Sequence, residues 1–214
     1  MLRSYQEGAE RIRAQIERGL CDRVSFRAAL LGVPPAERDA WLDRALGLGE
    51  LPDDDPQLPR GCVPYLPCPV DALLRVAQEA PVHASDVFVD VGSGLGRAGA
   101  LVHLLTGASV LGLEIQPRLV VAARDMAARL LLSRTEYVEG DAAELTRFMT
   151  IGSIFFFYCP FSGERLANLV ADLEAIARTR TIRICCVDLP MPSCPWLELA
   201  PPVAPDLAIY RSIL

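Results

Sequence analysis

Eleven residues constrain this chain more than any others: Val87-Phe-Val-Asp-Val-Gly-Ser-Gly-Leu-Gly-Arg97. An apolar run of strand-forming residues breaks into three glycines at alternate positions and then continues as a helix former. Glycine lets the backbone bend tightly and come close to a ligand without a Cβ in the way. The start of the following helix offers free N–H groups to the negative end of a ligand. Strand, glycine turn and helix in that order form the first crossover of a parallel α/β sheet, so further strands should follow at similar intervals.

They do. Residues 70–80 read as a helix and Asp86–Val91 as the first strand. Residues 96–106 are helical, ending before Gly107, and Ser109–Leu113 is a second strand. Pro117–Leu132 is a helix with proline in its first turn, Thr135–Val138 a third strand and Ala142–Met149 a short helix. Ser153–Phe157 is a fourth strand, Ser162 opens a helix to about Arg178, and Thr181–Val187 is a fifth strand. Two short runs at 196–199 and 207–212, around a proline-rich turn, predict a closing β-hairpin. With right-handed crossovers this is a doubly wound, mostly parallel, seven-stranded Rossmann-like sheet covered on both faces.

The 214 residues suit one such domain and leave room for a short addition. Residues 1 to about 48 read as helical: Ile12, Ile16 and Leu20 recur at i+4, and Pro34-Pro35 opens a second pattern bearing Trp41, Leu42, Ala45 and Leu46. Residues 51–69 hold six prolines and three consecutive aspartates and read as an extended connection. The division is therefore 1–60, a helical N-terminal extension with an acidic, proline-rich linker, and 61–214, the sheet domain.

The net charge is -6, and all 21 basic residues are arginine. That balance argues against a broad duplex nucleic-acid surface. The charged N-terminal residues are not a secretory signal, and no apolar run is long enough for a membrane span. The seven cysteines form no CxxC pair and none stands at metal-ligand spacing to histidine. They read as reduced thiols of a cytoplasmic protein. No carboxylate cluster suited to a catalytic metal is visible.

The glycine spacing separates ligands. A dinucleotide turn is GxGxxG; here Gly92, Gly94 and Gly96 give GxGxG, with Arg97 next and Asp90 two residues ahead. A pyrophosphate disfavours Asp90 nearby, whereas a ligand with a free ammonium favours it. Glu114 closes the second strand, where a carboxylate accepts the two hydroxyls of a ribose. Asp141, in Val138-Glu-Gly-Asp-Ala142, follows the third strand and can accept from an exocyclic amine of adenine. Three acids after three successive strands share the carboxyl edge of the sheet, where ligands of such sheets bind.

On VFVDVGSGLGR (87–97), LGLEIQP (111–117), VEGDAAEL (138–145) and IFFFYCPF (154–161), residues 62–214 resemble the class I, seven-strand methyltransferases that use S-adenosylmethionine. The resemblance implies that Asp90 and the Gly92-Ser93-Gly94-Leu95-Gly96 loop hold the methionine moiety. It implies that Glu114 binds the ribose, that Ile115 packs on the adenine, and that Asp141, with Ala142 beside it, holds the adenine amine. It implies methyl transfer to an N or O nucleophile, with S-adenosylhomocysteine as product.

After the fourth strand, amine methylators of this family often carry Asn/Asp-Pro-Pro-aromatic. Here the run is Tyr158-Cys159-Pro160-Phe161, keeping the proline-aromatic end without the amide or carboxylate. Tyr158, Pro160 and Phe161 read either as groups that aim the acceptor and exclude water or as core strand and turn. Val63-Pro-Tyr65-Leu-Pro-Cys-Pro69 is similar to lead-ins of some seven-strand protein-lysine methyltransferases and reads equally as a stiff linker; in the first case Tyr65 lies over the cofactor. The Pro-Tyr lead-in and the acidic balance incline the acceptor toward a protein or peptide amine. Small-molecule acceptors and a non-catalytic adenosyl-binding module acting through a partner stay open. Asp53-Asp54-Asp55 reads as a solvated loop or as an attractor of basic substrates.

Overall fold

The computed structural model describes residues 2–50, 52–189, 191–201 and 206–214, with side chains from Tyr5 onward. Met1, Leu51 in the linker and most of the proline-rich turn of the hairpin, 202–205, lie outside the described residues.

The four inner parallel strands form because each buries apolar residues on both sides, whereas the edge strand among them keeps two exposed glutamates. In β1 (Val87–Val91), Phe88 faces one layer of helices while Val89 and Val91 face the other. The same alternation runs through β2 (Ser109–Glu114), β4 (Ile154–Tyr158) and β5 (Arg183–Val187). Val110, Phe156 and Cys185 join Phe88, and Leu113, Phe155, Phe157, Ile184 and Cys186 join Val89. Phe88 and Phe156 stack with ring centroids 5.5 Å apart. Together with β3 (Thr135–Glu139), β6 (Leu197–Ala200) and β7 (Leu207–Ser212), they make one sheet in the order β3-β2-β1-β4-β5-β7-β6. β1 to β5 are parallel; β7 runs antiparallel to β5 and pairs with β6 as the expected hairpin. The strand order reverses between β1 and β4. A doubly wound sheet opens its ligand crevice there, at the carboxyl ends of the strands.

One face carries α4 (Val70–Glu79), α5 (Arg97–Thr106), α6 (Pro117–Arg129) and the N-terminal helices. The other carries α7 (Ala142–Leu145) and α8 (Glu164–Ala177). α8 buries Leu166, Leu169, Val170, Leu173, Ile176 and Ala177, an i, i+3, i+4, i+7 stripe.

The N-terminal region departs from its sequence reading in one respect. α1 (Leu2–Ile16) stops at Ile16, and Leu20, read as part of the same stripe, is 61% exposed in the following turn. A separate helix follows, α2 (Arg23–Leu31), capped by Asp22 accepting from Ser25 N–H at 2.8 Å. Its Phe26 and Leu30 meet Trp41 and Leu42 of α3 (Arg38–Leu46), and all four join the same apolar cluster as Phe88. Arg97, at the start of α5, locks this arrangement. Its guanidinium is 4% exposed and donates to Asp43 at 2.5 Å, Asp39 at 2.7 Å and the Cys68 carbonyl at 2.6 Å.

All seven cysteines are free thiols. Among the described residues no helix is long and apolar enough to cross a membrane.

Candidate functional site

The turn after β1 is held from three sides. Gly92 N–H and Ser93 N–H both donate to the Leu113 carbonyl at 2.9 Å. Gly94 N–H donates to Glu114 Oε2 at 2.8 Å, so the carboxylate at the end of β2 braces the loop from β1. Each glycine is bare because a different side chain lies against it. A Cβ on Gly92 would come 2.7 Å from Pro160, one on Gly94 2.2 Å from the Tyr65 ring, and one on Gly96 2.4 Å from the Tyr137 ring. A Cβ on Gly112 of β2 would come equally close, 2.4 Å, to the ring of Tyr137 on β3, whose hydroxyl donates to the Gly96 carbonyl at 3.0 Å. Replacing Tyr137 by Phe removes one of two donors to that carbonyl, the Ala100 N–H at 2.9 Å being the other. The expected loss is about 0.5–1.5 kcal/mol of stability, read from urea unfolding; an unchanged midpoint contradicts the assignment.

Asp90 is buried near the carboxyl end of β1. It points to the α5 side of the sheet, is 2% exposed and lies beside Gly99 in the first turn of α5. Burial pushes its carboxyl up to about 7, against the pull of the Gly99 N–H, and the nearby Glu114 charge adds to the rise. Its Oδ2 and the Ser93 hydroxyl are buried without a hydrogen-bond partner among the described residues. Both lie at the glycine turn, where unsatisfied polar atoms mark a functional position more often than a stable one.

Nine of the thirteen expected site residues line one cleft: Tyr65, Gly92, Glu114, Ile115, Asp141, Ala142, Tyr158, Pro160 and Phe161. It holds about 610 Å³ of empty space, its open mouth included. Asp90, Ser93, Gly94 and Gly96 are not on its wall. Tyr65 covers the glycine loop from above and Tyr137 supports it from below. Glu114 is 6% exposed and also accepts from Gln116 N–H at 2.8 Å; burial raises its carboxyl despite these donors. Asp141 caps α7 through Ala143 N–H at 3.0 Å and takes Arg165 Nη1 on both oxygens at 2.6 Å. Each carboxylate still has lone pairs free for a ligand.

The far wall is the turn after β4. Cys159 adopts φ of 43°, and Asp188, after β5, φ of 50°. The Cys159 thiol donates to the Asp188 carbonyl at 2.8 Å, tying these two strained strand ends together. Burial, then the Asp188 charge, raises the Cys159 thiol, so it is no nucleophile. Burial also raises the Tyr158 phenol, with the charges of Cys68, Asp188, Cys159 and Asp39 adding to it. At neutral pH Tyr158 is therefore a hydrogen-bond donor and not a base.

The proline-rich segment lies across this cleft as a strap. Cys62 pairs with Phe161 in an antiparallel bridge, Val63 N–H donates to the Pro160 carbonyl at 3.3 Å, and Ser162 N–H donates to the Gly61 carbonyl at 3.3 Å. Within the aspartate run Asp53 and Asp55 are exposed, while Asp54 is tied in. Asp54 Oδ1 accepts from Tyr65 N–H at 2.9 Å and from Gln116 Nε2 at 2.8 Å, and Asp55 N–H donates to Gln116 Oε1 at 2.7 Å. Sequence reasoning missed Gln116, Tyr137 and Arg165. Only Gln116 carried a local signal, its place just before the proline that opens α6.

No protein-family model and no curated protein sequence matches the chain. Solved structures do. An RNA methyltransferase from Salinibacter ruber in complex with S-adenosyl-L-homocysteine superposes with a TM-score of 0.55 at 23% identity, over 69% of this chain and 92% of that one. The putative methyltransferase yhhF from Escherichia coli gives 0.55 at 19%, over 76% and 91%. The S-adenosylhomocysteine-bound methyltransferase PaMTH1 from Podospora anserina gives 0.54 at 13%, over 69% and 80%. With the strand order β3-β2-β1-β4-β5-β7-β6, the antiparallel β7 and the cleft at the β1/β4 reversal, this chain has the fold of the class I methyltransferases.

Proposed function

We propose that the chain transfers a methyl group from S-adenosylmethionine to an amine of a protein or peptide. The observation that carries the reading is the single cleft at the strand-order reversal, with Glu114, Ile115, Asp141 and Ala142 on one wall and Tyr158, Pro160 and Phe161 on the other. Two of the fold neighbours hold S-adenosylhomocysteine, which supports the same cofactor here.

The residues fit that cofactor. Glu114 has acceptor capacity for ribose hydroxyls, Ile115 and Ala142 offer an apolar wall to adenine, and Asp141 can accept from its amine. The orphaned Asp90 Oδ2 and Ser93 hydroxyl, under the glycine turn, leave that end of the site short of polar partners. When bound, the cofactor supplies an electrophilic methyl whose thioether leaving group needs no acid. The chain's part is then orientation and dryness. The amine attacks as the neutral base after giving its proton to water; the Tyr158 oxygen can accept from an amine N–H and leave the lone pair free, while Phe161, buried behind Pro160, walls the cleft from water. Arrival of the amine in its cationic form, before it loses a proton to water, is favoured by the Asp188 charge near Tyr158 and by the net charge of -6.

Calorimetry with S-adenosylhomocysteine and with NAD, followed by transfer of isotopic methyl to proteins of a cell extract, tests this reading. NAD binding alone overturns the cofactor; label recovered only on RNA or small molecules overturns the acceptor. Binding without any transfer favours the adenosyl-binding module, for which the Tyr-Cys-Pro-Phe turn speaks. Asp141→Ala is expected to weaken S-adenosylhomocysteine binding by about 1–3 kcal/mol, and equal affinity removes Asp141 from the adenine.

A further inference from the structure

The strap has a fastening that nothing in the fold requires. Its far end, Gly61–Val63, is bridged to Pro160–Ser162. Its near end is held through Gln116, a polar residue only 4% exposed. Every hydrogen-bonding group of the Gln116 side chain is committed to the strap: Nε2 to Asp54 and Oε1 to the N–H of Asp55. Asp54 in turn holds the N–H of Tyr65, whose ring covers Gly94. The backbone N–H of the same Gln116 holds Glu114 Oε1, while Gly94 N–H holds Glu114 Oε2. One residue thus connects the carboxylate on the cleft wall to the aromatic cover over the glycine turn, in a closed circuit Glu114–Gln116–Asp54–Tyr65–Gly94.

We propose that Gln116 is a positioning residue whose side chain clasps the Tyr65 strap to the Glu114 turn and so sets how long the nucleoside is held in the cleft. The proposal rests on the cofactor reading above. Gln116→Ala isolates the clasp, because it removes both side-chain bonds to the strap and keeps the backbone N–H that braces Glu114. Opening the strap should be slower when the nucleoside is bound beneath it.

The test has two readouts apart from turnover. The first is the dissociation rate of S-adenosylhomocysteine, and the second is tryptic cleavage after Arg60, an exposed residue of the strap, mapped by mass spectrometry. In the unaltered chain, S-adenosylhomocysteine slows cleavage after Arg60. In Gln116→Ala, dissociation is expected to quicken about tenfold, as two partly buried hydrogen bonds are lost, and the protection at Arg60 to disappear. Asp54→Ala, on the half-exposed strap, should do the same, and the double variant should lose less than the two single losses combined, since they share one bond. Unchanged dissociation and unchanged cleavage in both single variants overturn the clasp. If the unaltered chain gives no heat with S-adenosylhomocysteine, the cofactor reading falls, and with it the residence claim. Faster cleavage in ligand-free Gln116→Ala still reports the clasp by itself.

Discussion

Asp90→Asn should make the protein more stable at pH 8 and change almost nothing at pH 4. The folded chain holds the Asp90 carboxyl at about 7, far above its ordinary value, because the group is wholly buried. A carboxyl raised in this way binds its proton more tightly folded than unfolded. Its contribution is fully present below the unfolded pKa, near 4, and is lost as pH rises through 7. At 1.36 kcal/mol per unit, the whole loss is about 4 kcal/mol. Asparagine keeps an acceptor for Gly99 N–H and never ionises, so it resembles the protonated acid. Chemical denaturation at pH 4, 6 and 8 should show the variant pulling ahead by roughly 3–4 kcal/mol at the highest pH. Parallel curves for the two proteins would mean that Asp90 titrates as an ordinary surface acid.

Gly94→Val should abolish nucleoside binding, with affinity falling by at least about a hundredfold. Three effects coincide. Residue 94 has φ of 53°, which a β-branched residue tolerates poorly. The new Cβ would stand 2.2 and 2.3 Å from carbons of the Tyr65 ring, forcing the strap off the loop. Any shift of the loop also strains the bond from Gly94 N–H to Glu114. Gly19→Ala provides the control. Gly19 has φ of 65° and nothing within 4 Å of its would-be Cβ, so it carries backbone strain alone. Calorimetry should find Gly19→Ala binding normally while Gly94→Val gives no heat. Equal binding by both variants removes the glycine turn from the site.

The contrast between legible and hidden features is physical. The strands and their order of appearance could be read because each is a short apolar run bounded by turn residues, and Glu114 and Asp141 because strand ends locate them. Residues 23–31 fall inside the stretch that reads as helical, but the break before them is hidden because the stripe of α2 consists of only Phe26 and Leu30. Asp90 could be placed at the sheet edge but not on a face, since alternation along β1 fixes its side only once the packing layers are known. Tyr137 and Arg165 were hidden because their partners are distant in the chain: the Tyr137 contact with Gly96 spans 41 residues and Arg165 with Asp141 spans 24. Nothing local marks a tyrosine whose task is to fill the room that two glycines leave, or an arginine that will fall across a carboxylate from the next crossover.

That tyrosine binds separate motifs into a single evolutionary unit. One ring occupies the volume that methyl groups on Gly96 and Gly112 would need, so neither glycine can drift to alanine while position 137 keeps its aromatic side chain. Relatives of this chain should therefore keep both glycines wherever position 137 is aromatic. Shrinking Tyr137 alone frees neither site, because Gly96 keeps its φ of 74° and a Cβ on Gly112 would still stand 2.7 Å from the Ser93 hydroxyl, so the ring can be lost in divergence before either glycine is.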